Sequence, residues 1–179
     1  KVTLPNTPNS TRKSSDILAA FTARLSSRLN LDTFWQYNPE FGNTERNNIL
    51  LRYNPEPGKS FGFGYRYTAN TLEQLDTSAQ WPLGSGWYGI GRLNYSIRDN
   101  KAVQFLGGLE YDAGCWQARA VVQRVQTATA NANFAMFFQL ELGGLTSIGA
   151  NPLNVIKRNI PTYMRTYDIP AIYRDQNAQ

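Results

Sequence analysis

The feature that most constrains this chain is a strict alternation of apolar and polar residues, repeated in nine segments. In the fourth segment, for example, Phe61 and Phe63 flank the small residue Gly62. Side chains alternate faces along a β-strand, so each segment predicts a strand with one apolar and one polar face. The first segment covers residues 17–29, and a tight turn is expected near Asn30. Stretches rich in Gly, Pro, Asn and Asp separate the later segments, as is typical of turns.

Strand length and the placement of aromatic residues indicate a membrane sheet. Most predicted strands have about 8 to 13 residues, longer than the roughly 5 to 6 typical of soluble sheets and near the roughly 9 to 11 that cross a bilayer. A soluble β-sandwich is the alternative, but these strand lengths favour a transmembrane barrel. Aromatic residues also collect at strand ends, where interfacial girdles lie. They are Trp35, Tyr37, Trp81, Trp87, Tyr88, Tyr111 and Trp116.

An odd number of strands cannot close a bacterial barrel, and open edges cannot remain in hydrocarbon. We therefore expect an all-β fold: part of an antiparallel transmembrane β-barrel, about nine strands of a larger even-stranded barrel, with an irregular C-terminal tail. The chain begins at Lys1 without Met, so we expect it to be a piece of a longer protein. Residues 1–16 are predicted to be a loop or linker, 17–145 the barrel portion and 146–179 a periplasmic tail.

The alternation also predicts which way each side chain points. A charge at the bilayer midplane on the lipid face costs roughly 2 to 4 kcal/mol, so charged residues should point into the lumen. The predicted lipid-facing residues are Phe21, Trp35, Phe63, Tyr65, Leu93, Phe105, Val122 and Phe138. The predicted lumen-facing residues are Arg24, Arg52, Arg66, Arg92, Arg119 and Glu141.

Composition argues against several classes of function. The chain has no His, which excludes imidazole catalysis and His-ligated metal sites within it. It has one Cys, so it has no internal disulfide framework. Its net charge of +5 comes from scattered residues rather than a dense basic cluster, which argues against nucleic-acid binding. The Ser residues have no His to act as their base, so we predict neither an enzyme nor a cofactor.

Three stretches resemble one family. Residues 108–119 resemble the cysteine-bearing hairpin of the LptD family, which assembles lipopolysaccharide (LPS) at the outer membrane. Residues 138–149 are similar to the family's final strand and the small-residue stretch after it, and residues 159–163 to its closing segment. The resemblance extends from about Ser14 to Tyr163. Some members carry two adjacent cysteines in the hairpin, whereas this chain has one, so only one interdomain disulfide can start there.

The resemblance implies an architecture and partners. The family has a barrel of about twenty-six strands with an N-terminal periplasmic β-jellyroll domain. An LptE-type lipoprotein plugs the barrel, and an LptA-type periplasmic bridge delivers LPS through the N-terminal domain, which this chain lacks. LPS then enters the outer leaflet of the Gram-negative outer membrane through a lateral gate between the first and last strands. A passive porin or substrate-specific channel, lined by the lumenal arginines, is the alternative.

The resemblance also implies two site assignments. Cys115 is expected to form a disulfide with the N-terminal domain, in a hairpin that strand parity places in the oxidising periplasm; a buried free thiol is the alternative. The last predicted strand is expected to pair firmly with residues 116–125 and weakly on its other edge, with residues 143 and 144 easing fraying. Its gate residues are Phe134, Met136, Phe138, Leu140 and Leu142.

Overall fold

Ten antiparallel strands form a single sheet in which every strand pairs with its neighbours in sequence. The structure is a computed structural model, and it describes residues 15–126, 132–142 and 146–176. The strands, in order, are β1 (Ile17–Ser26), β2 (Leu29–Asn38), β3 (Asn43–Glu56), β4 (Lys59–Thr68), β5 (Leu72–Gly84), β6 (Trp87–Ser96), β7 (Lys101–Asp112), β8 (Trp116–Gln126), β9 (Ala132–Leu142) and β10 (Thr146–Gly149).

The predicted all-β fold is confirmed: the chain forms part of an antiparallel β-barrel whose sheet is not closed. Alternation located the nine long strands because each has one apolar face. The first turn is displaced from its predicted position near Asn30. It lies at residues 27–28, where Ser26 pairs with Leu29 and the Ser26 hydroxyl accepts a hydrogen bond from the backbone N–H of Arg28 at 3.2 Å. The alternation of apolar and polar residues continues through a two-residue turn. The sequence pattern therefore could not mark where β1 ends and β2 begins.

The two faces of the sheet follow from the strand register, since directly opposed residues on neighbouring strands point the same way. We call one face the inner face; among its residues are Arg24, Arg52, Arg66, Arg92, Glu110, Arg119 and Glu141. We call the other the outer face; among its residues are Phe21, Trp35, Phe63, Tyr65, Leu93, Phe105, Val122 and Phe138.

The chain after β10 folds back over part of the inner face. It contains α1 (Leu153–Asn159), a 3-10 turn (Thr166–Asp168) and α2 (Ala171–Gln176). We call residues 150–176 the C-terminal segment. Its Ile156 and Ile160 are fully buried against apolar inner-face residues of three strands, Ile90, Leu106 and Val121. The segment after β9 is therefore more ordered than the irregular tail that its prolines suggest.

The β3–β4 turn is shaped to receive this segment. Gly58 lies in the turn with a φ of +79°, in the left-handed region that favours glycine. A Cβ atom at this position would lie 2.5 Å from Cδ1 of Ile169, so a larger residue would force the Ile169 side chain to shift. In the ranges that the structure covers, no helix has the length and apolar character needed to cross a membrane.

Candidate functional site

The predicted lumen-facing arginines lie on one face of the sheet. Arg24 pairs with Asn30, which pairs with Arg52 on β3. The same cross-strand row continues through β4 and β5 to Arg92 on β6. Arg66 lies on the same face of β4. That this face lines a lumen stays a prediction, because the sheet is open.

A buried charged network lies on the inner face of β7, β8 and β9, centred on Arg119, whose side chain is only 1% exposed. Its Nε donates to Oε1 of Glu110 at 2.9 Å, and its Nη1 donates to Oε2 of Glu141 at 2.8 Å. Amide oxygens of Gln117 and Gln139 accept two further hydrogen bonds from the same guanidinium, at 2.8 and 3.2 Å. Arg119 therefore ties three strands together through carboxylate and amide acceptors.

Tyr163 connects this network to the C-terminal segment. Its hydroxyl donates to Oε1 of Glu110 at 2.6 Å, so the same oxygen accepts from both Tyr163 and Arg119. Burial raises the pKa of the Tyr163 hydroxyl above its usual 10.0, and the negative charge and hydrogen bond of Glu110 raise it further. The phenol therefore stays protonated and remains a donor over the physiological range of pH.

Two further contacts hold the segment on the sheet. The side chain of Gln80 accepts from the backbone N–H of Met164 at 2.9 Å and donates to its carbonyl at 2.7 Å, as a neighbouring strand would. Oδ1 of Asn159 accepts from Arg92 at 2.7 Å and from Gln104 at 2.6 Å. Sequence reasoning missed these residues. The 156, 160 and 163 spacing of apolar residues indicates one buried face, but it does not name the surface that buries it.

The remaining predicted lumen residues differ in their surroundings. Arg52 forms an ion pair with Asp32, and Arg92 binds the carboxylate of Asp76 through Nε at 3.0 Å. Arg24 is exposed on the inner face of β1, which the C-terminal segment does not cover. The C-terminal segment thus covers the inner face of the later strands and leaves the inner face of the first strands exposed.

The outer face is apolar and exposed along its length. Many of its large apolar residues are 36 to 70% exposed, including Phe105 at 45% and Met136 at 70%. Each predicted lipid-facing residue lies on this face, although contact with lipid stays a prediction. Charged residues also lie here near strand ends: Arg124 on β8, opposite Phe105 and Phe134, and Glu73 on β5, opposite Tyr67.

Aromatic side chains lie at two levels of the outer face. At one end the ring of Tyr111 lies 4.9 Å from Trp87 and 5.2 Å from Trp116. At the other end Trp35 and Tyr37 lie 5.6 Å apart. On β6, the eight residue steps from Trp87 to Tyr95 span about 26 Å along the strand, at roughly 3.3 Å per residue. A strand of that length, tilted as in membrane barrels, crosses most of their roughly 25 Å apolar band.

Tyr88 does not belong to either aromatic level. We predicted it among the strand-end aromatics, but it lies on the inner face, where it is 1% exposed and opposite Glu110. The prediction was wrong because it counted position along the strand and ignored parity: Trp87 and Tyr88 are adjacent and so point to opposite faces.

The edge strand β9 is paired fully on one side and partly on the other. Its residues from Ala132 to Leu142 all pair with β8. On its other edge β10 pairs with residues 139–142 alone, and the described part of the chain offers no partner to residues 132–138. The predicted gate residues lie on this strand, while residues 143 and 144 fall outside the described ranges. Their role as a gate stays a prediction.

Cys115 is an exposed free thiol in the turn between β7 and β8. The carboxylate of Asp112 shapes this turn by accepting from the backbone N–H of Gly114 at 2.8 Å. Arg174, in α2, donates to the same carboxylate at 3.3 Å, so the end of the C-terminal segment lies beside the cysteine turn. The described residues do not bury Cys115, and the interdomain disulfide stays a prediction.

Comparison with known proteins supplies the family. The family model for LPS transport system D matches residues 1–87. A protein of Aromatoleum aromaticum, named LPS-assembly protein LptD, is 45% identical over 163 residues, which cover 91% of this chain. The chain belongs to the LptD family. Members named in the same way from Thiobacillus denitrificans and Azoarcus sp. are 44% and 42% identical, over 94% and 92% of the chain.

The LptD relatives are much longer than this chain. The chain spans 21% of the Aromatoleum protein and 23% of the Thiobacillus protein. Membership of a family named for LPS assembly does not favour the porin alternative, and it is consistent with a protein that is not an enzyme.

Proposed function

We propose that this chain forms the C-terminal portion of an outer-membrane β-barrel that inserts LPS into the outer leaflet of a Gram-negative bacterium. The observation that carries this proposal is the exposed apolar outer face between two levels of aromatic residues, in a chain whose relatives are named for LPS assembly. An apolar surface of this extent is rare on soluble monomers and marks contact with a membrane or a partner.

The open sheet supports a larger barrel. In a bilayer every backbone N–H and C=O group must be paired, and the outer edge of β1 has no partner strand among the described residues. Further strands must therefore complete the ring. The relatives' greater length is sufficient to supply them.

The half-free edge of β9 supports a lateral gate. If β9 is the last full strand of the barrel, the first strand can pair with residues 132–138, while β10 occupies residues 139–142. A seam held by about seven residues has fewer hydrogen bonds than the eleven-residue pairing between β8 and β9. The seam is then the part of the barrel that opens most readily, and LPS passes through it sideways into the membrane.

The part of the inner face that the C-terminal segment leaves exposed supports a separate plug protein. The C-terminal segment covers the inner face of the later strands, whereas β1 is exposed. An LptE-type lipoprotein would fill the uncovered part. Cys115, exposed beside α2, would form a disulfide with a periplasmic N-terminal domain, which would receive LPS from an LptA-type bridge.

Controlled depletion of the protein in its own cells tests this function. We expect LPS to disappear from the cell surface and to accumulate on the inner side of the outer membrane, and wild-type protein to restore it. Unchanged surface LPS after depletion, with loss of small-solute uptake instead, would support a porin and overturn the proposal.

A further inference from the structure

A small cavity lies between the inner face of β3–β6 and the C-terminal segment, apart from the Arg119 network. Its volume is about 220 Å³. The sheet forms one wall, including Arg66 on β4 and Asp76 on β5, and the C-terminal segment forms the other, including Arg158 and Thr162. The cavity therefore exists only while the segment is docked.

The charged side chains that line this cavity are mostly cationic. Four arginines line it, Arg52, Arg66, Arg92 and Arg158, against one carboxylate, that of Asp76. The carboxylate is already occupied, because it accepts hydrogen bonds from Arg92 at 3.0 and 3.1 Å and from the amide of Asn94 at 3.0 Å. It cannot also neutralise the other arginines.

Two of the four guanidinium groups are free to bind a ligand. Arg92 is paired with Asp76, and Arg52 is paired with Asp32 on the neighbouring strand. The guanidinium groups of Arg66 and Arg158 have neither an ion pair nor a hydrogen bond with any described residue, and both side chains are exposed. They come from opposite walls of one cavity, so an anion between them could accept donors from both sides.

The other lining groups narrow the ligand class. The amides of Asn48 and Gln74 and the hydroxyls of Ser78 and Thr162 also border the cavity. Neutral groups that both donate and accept hydrogen bonds suit sugar hydroxyls, whereas guanidinium forks suit phosphate oxygens. At about 220 Å³ the cavity is smaller than the roughly 300 to 1,000 Å³ of drug-sized ligand sites, so it suits a single sugar unit.

We propose that Arg66 and Arg158 form a binding site for a phosphorylated sugar, and that the phosphorylated headgroup of LPS contacts this site as it passes the inner face. The identity of the ligand rests on the proposed function, whereas the site itself does not. The phosphate binds between the two guanidinium groups, and the amides and hydroxyls contact the sugar. An acidic segment of a plug protein is the competing occupant, and the experiment separates the two.

Calorimetric titration of the purified protein in detergent micelles with glucosamine 1-phosphate tests the site. Each substitution removes a charge-assisted hydrogen bond to the phosphate. We therefore expect about tenfold weaker binding for Arg66→Gln or Arg158→Gln, and about a hundredfold weaker binding for the double variant. Arg98→Gln, at an exposed turn outside the cavity, removes the same charge and should bind like the wild type. Unphosphorylated glucosamine should bind much more weakly than the phosphate ester.

Three results would overturn the inference. The first is unchanged binding of the sugar phosphate by the double variant. The second is an equal loss of binding in Arg98→Gln, which would indicate a diffuse charge effect. The third is tighter binding of a polyglutamate peptide with the same dependence on Arg66 and Arg158, which would assign the site to an acidic protein. The depletion experiment decides the proposed function separately, because sugar-phosphate binding does not depend on LPS delivery.

Discussion

Arg119 and Glu110 form an ion pair that is 1% exposed on both sides, with 2.9 Å between Nε and Oε1, directly beneath the hydroxyl of Tyr163. The pair lies where β7, β8 and the C-terminal segment meet, so it couples the docking of the segment to the sheet. Buried pairs of this kind are costly to break from one side, because the remaining charge has no partner.

Removing Arg119 alone should therefore destabilise the fold strongly. We expect Arg119→Met to lower the free energy of unfolding by about 3 to 5 kcal/mol, because the Glu110 carboxylate stays buried without its counter-charge. Denaturant unfolding in detergent micelles measures this. The double variant Glu110→Leu/Arg119→Met should recover part of the loss. The exposed pair of Arg165 and Asp168 is the control, since Arg165→Gln should cost about 1 kcal/mol or less. Equal losses in the two single variants would contradict the network.

The hydroxyl of Tyr163 gives the docking a dependence on pH. Its pKa is raised in the folded state, so its contribution is fully present below the unfolded value of 10.0 and is lost as the pH rises above it. The stability difference between wild type and Tyr163→Phe should be about 1 to 3 kcal/mol near neutral pH and should shrink above about pH 10. Measuring the unfolding of both proteins across this pH range isolates the contribution of Tyr163, because the other titrating groups contribute equally to both proteins and cancel in the difference. A constant difference would refute the assignment.

Neighbouring residues on β8 test the two faces. Val122→Arg puts a charge on the outer face near mid-strand, where we expect a loss of about 2 to 4 kcal/mol in phospholipid vesicles. Gln123→Arg changes the next residue, on the inner face, and should cost little. Unfolding of both variants by guanidinium chloride in vesicles gives the comparison. The faces would be reversed if Gln123→Arg were the more damaging substitution.

Alternation predicted the long strands and their faces because the period of two is a local property of each strand. It assigned Arg92 and Arg119 to one face and Phe105 and Phe138 to the other without any knowledge of neighbouring strands. It could not predict the docking of the C-terminal segment. The bond between Gln80 and Met164 joins residues 84 positions apart, and no local pattern encodes such a contact.

Other features were missed for different reasons. The strand β10 has four residues, too few for alternation to be distinguished from chance. The candidate binding site depends on which arginines remain unpaired. Arg52 and Arg66 look alike in the sequence, and the partner of Arg52 on the next strand separates them.

Cys115 should be oxidised in the protein isolated from cells. We expect a disulfide to a cysteine of the periplasmic N-terminal domain, because Cys115 is exposed in a turn that we predict to lie in the periplasm. Non-reducing electrophoresis should show faster migration for the wild type than for Cys115→Ser, and equal migration after reduction. Identical migration of the two unreduced proteins would contradict the predicted disulfide.

Locking the seam next to β9 tests the central claim most directly. A cysteine at Ala135, on the free part of the β9 edge, is combined with cysteines placed in turn along the first strand of the barrel. The control pair, at Gln123 and Ala135, joins strands that are already paired. Surface delivery of LPS is then measured in cells with and without reductant. We predict that the seam lock stops delivery, that reductant restores it and that the control lock has no effect. Full delivery through a locked seam would contradict the lateral gate.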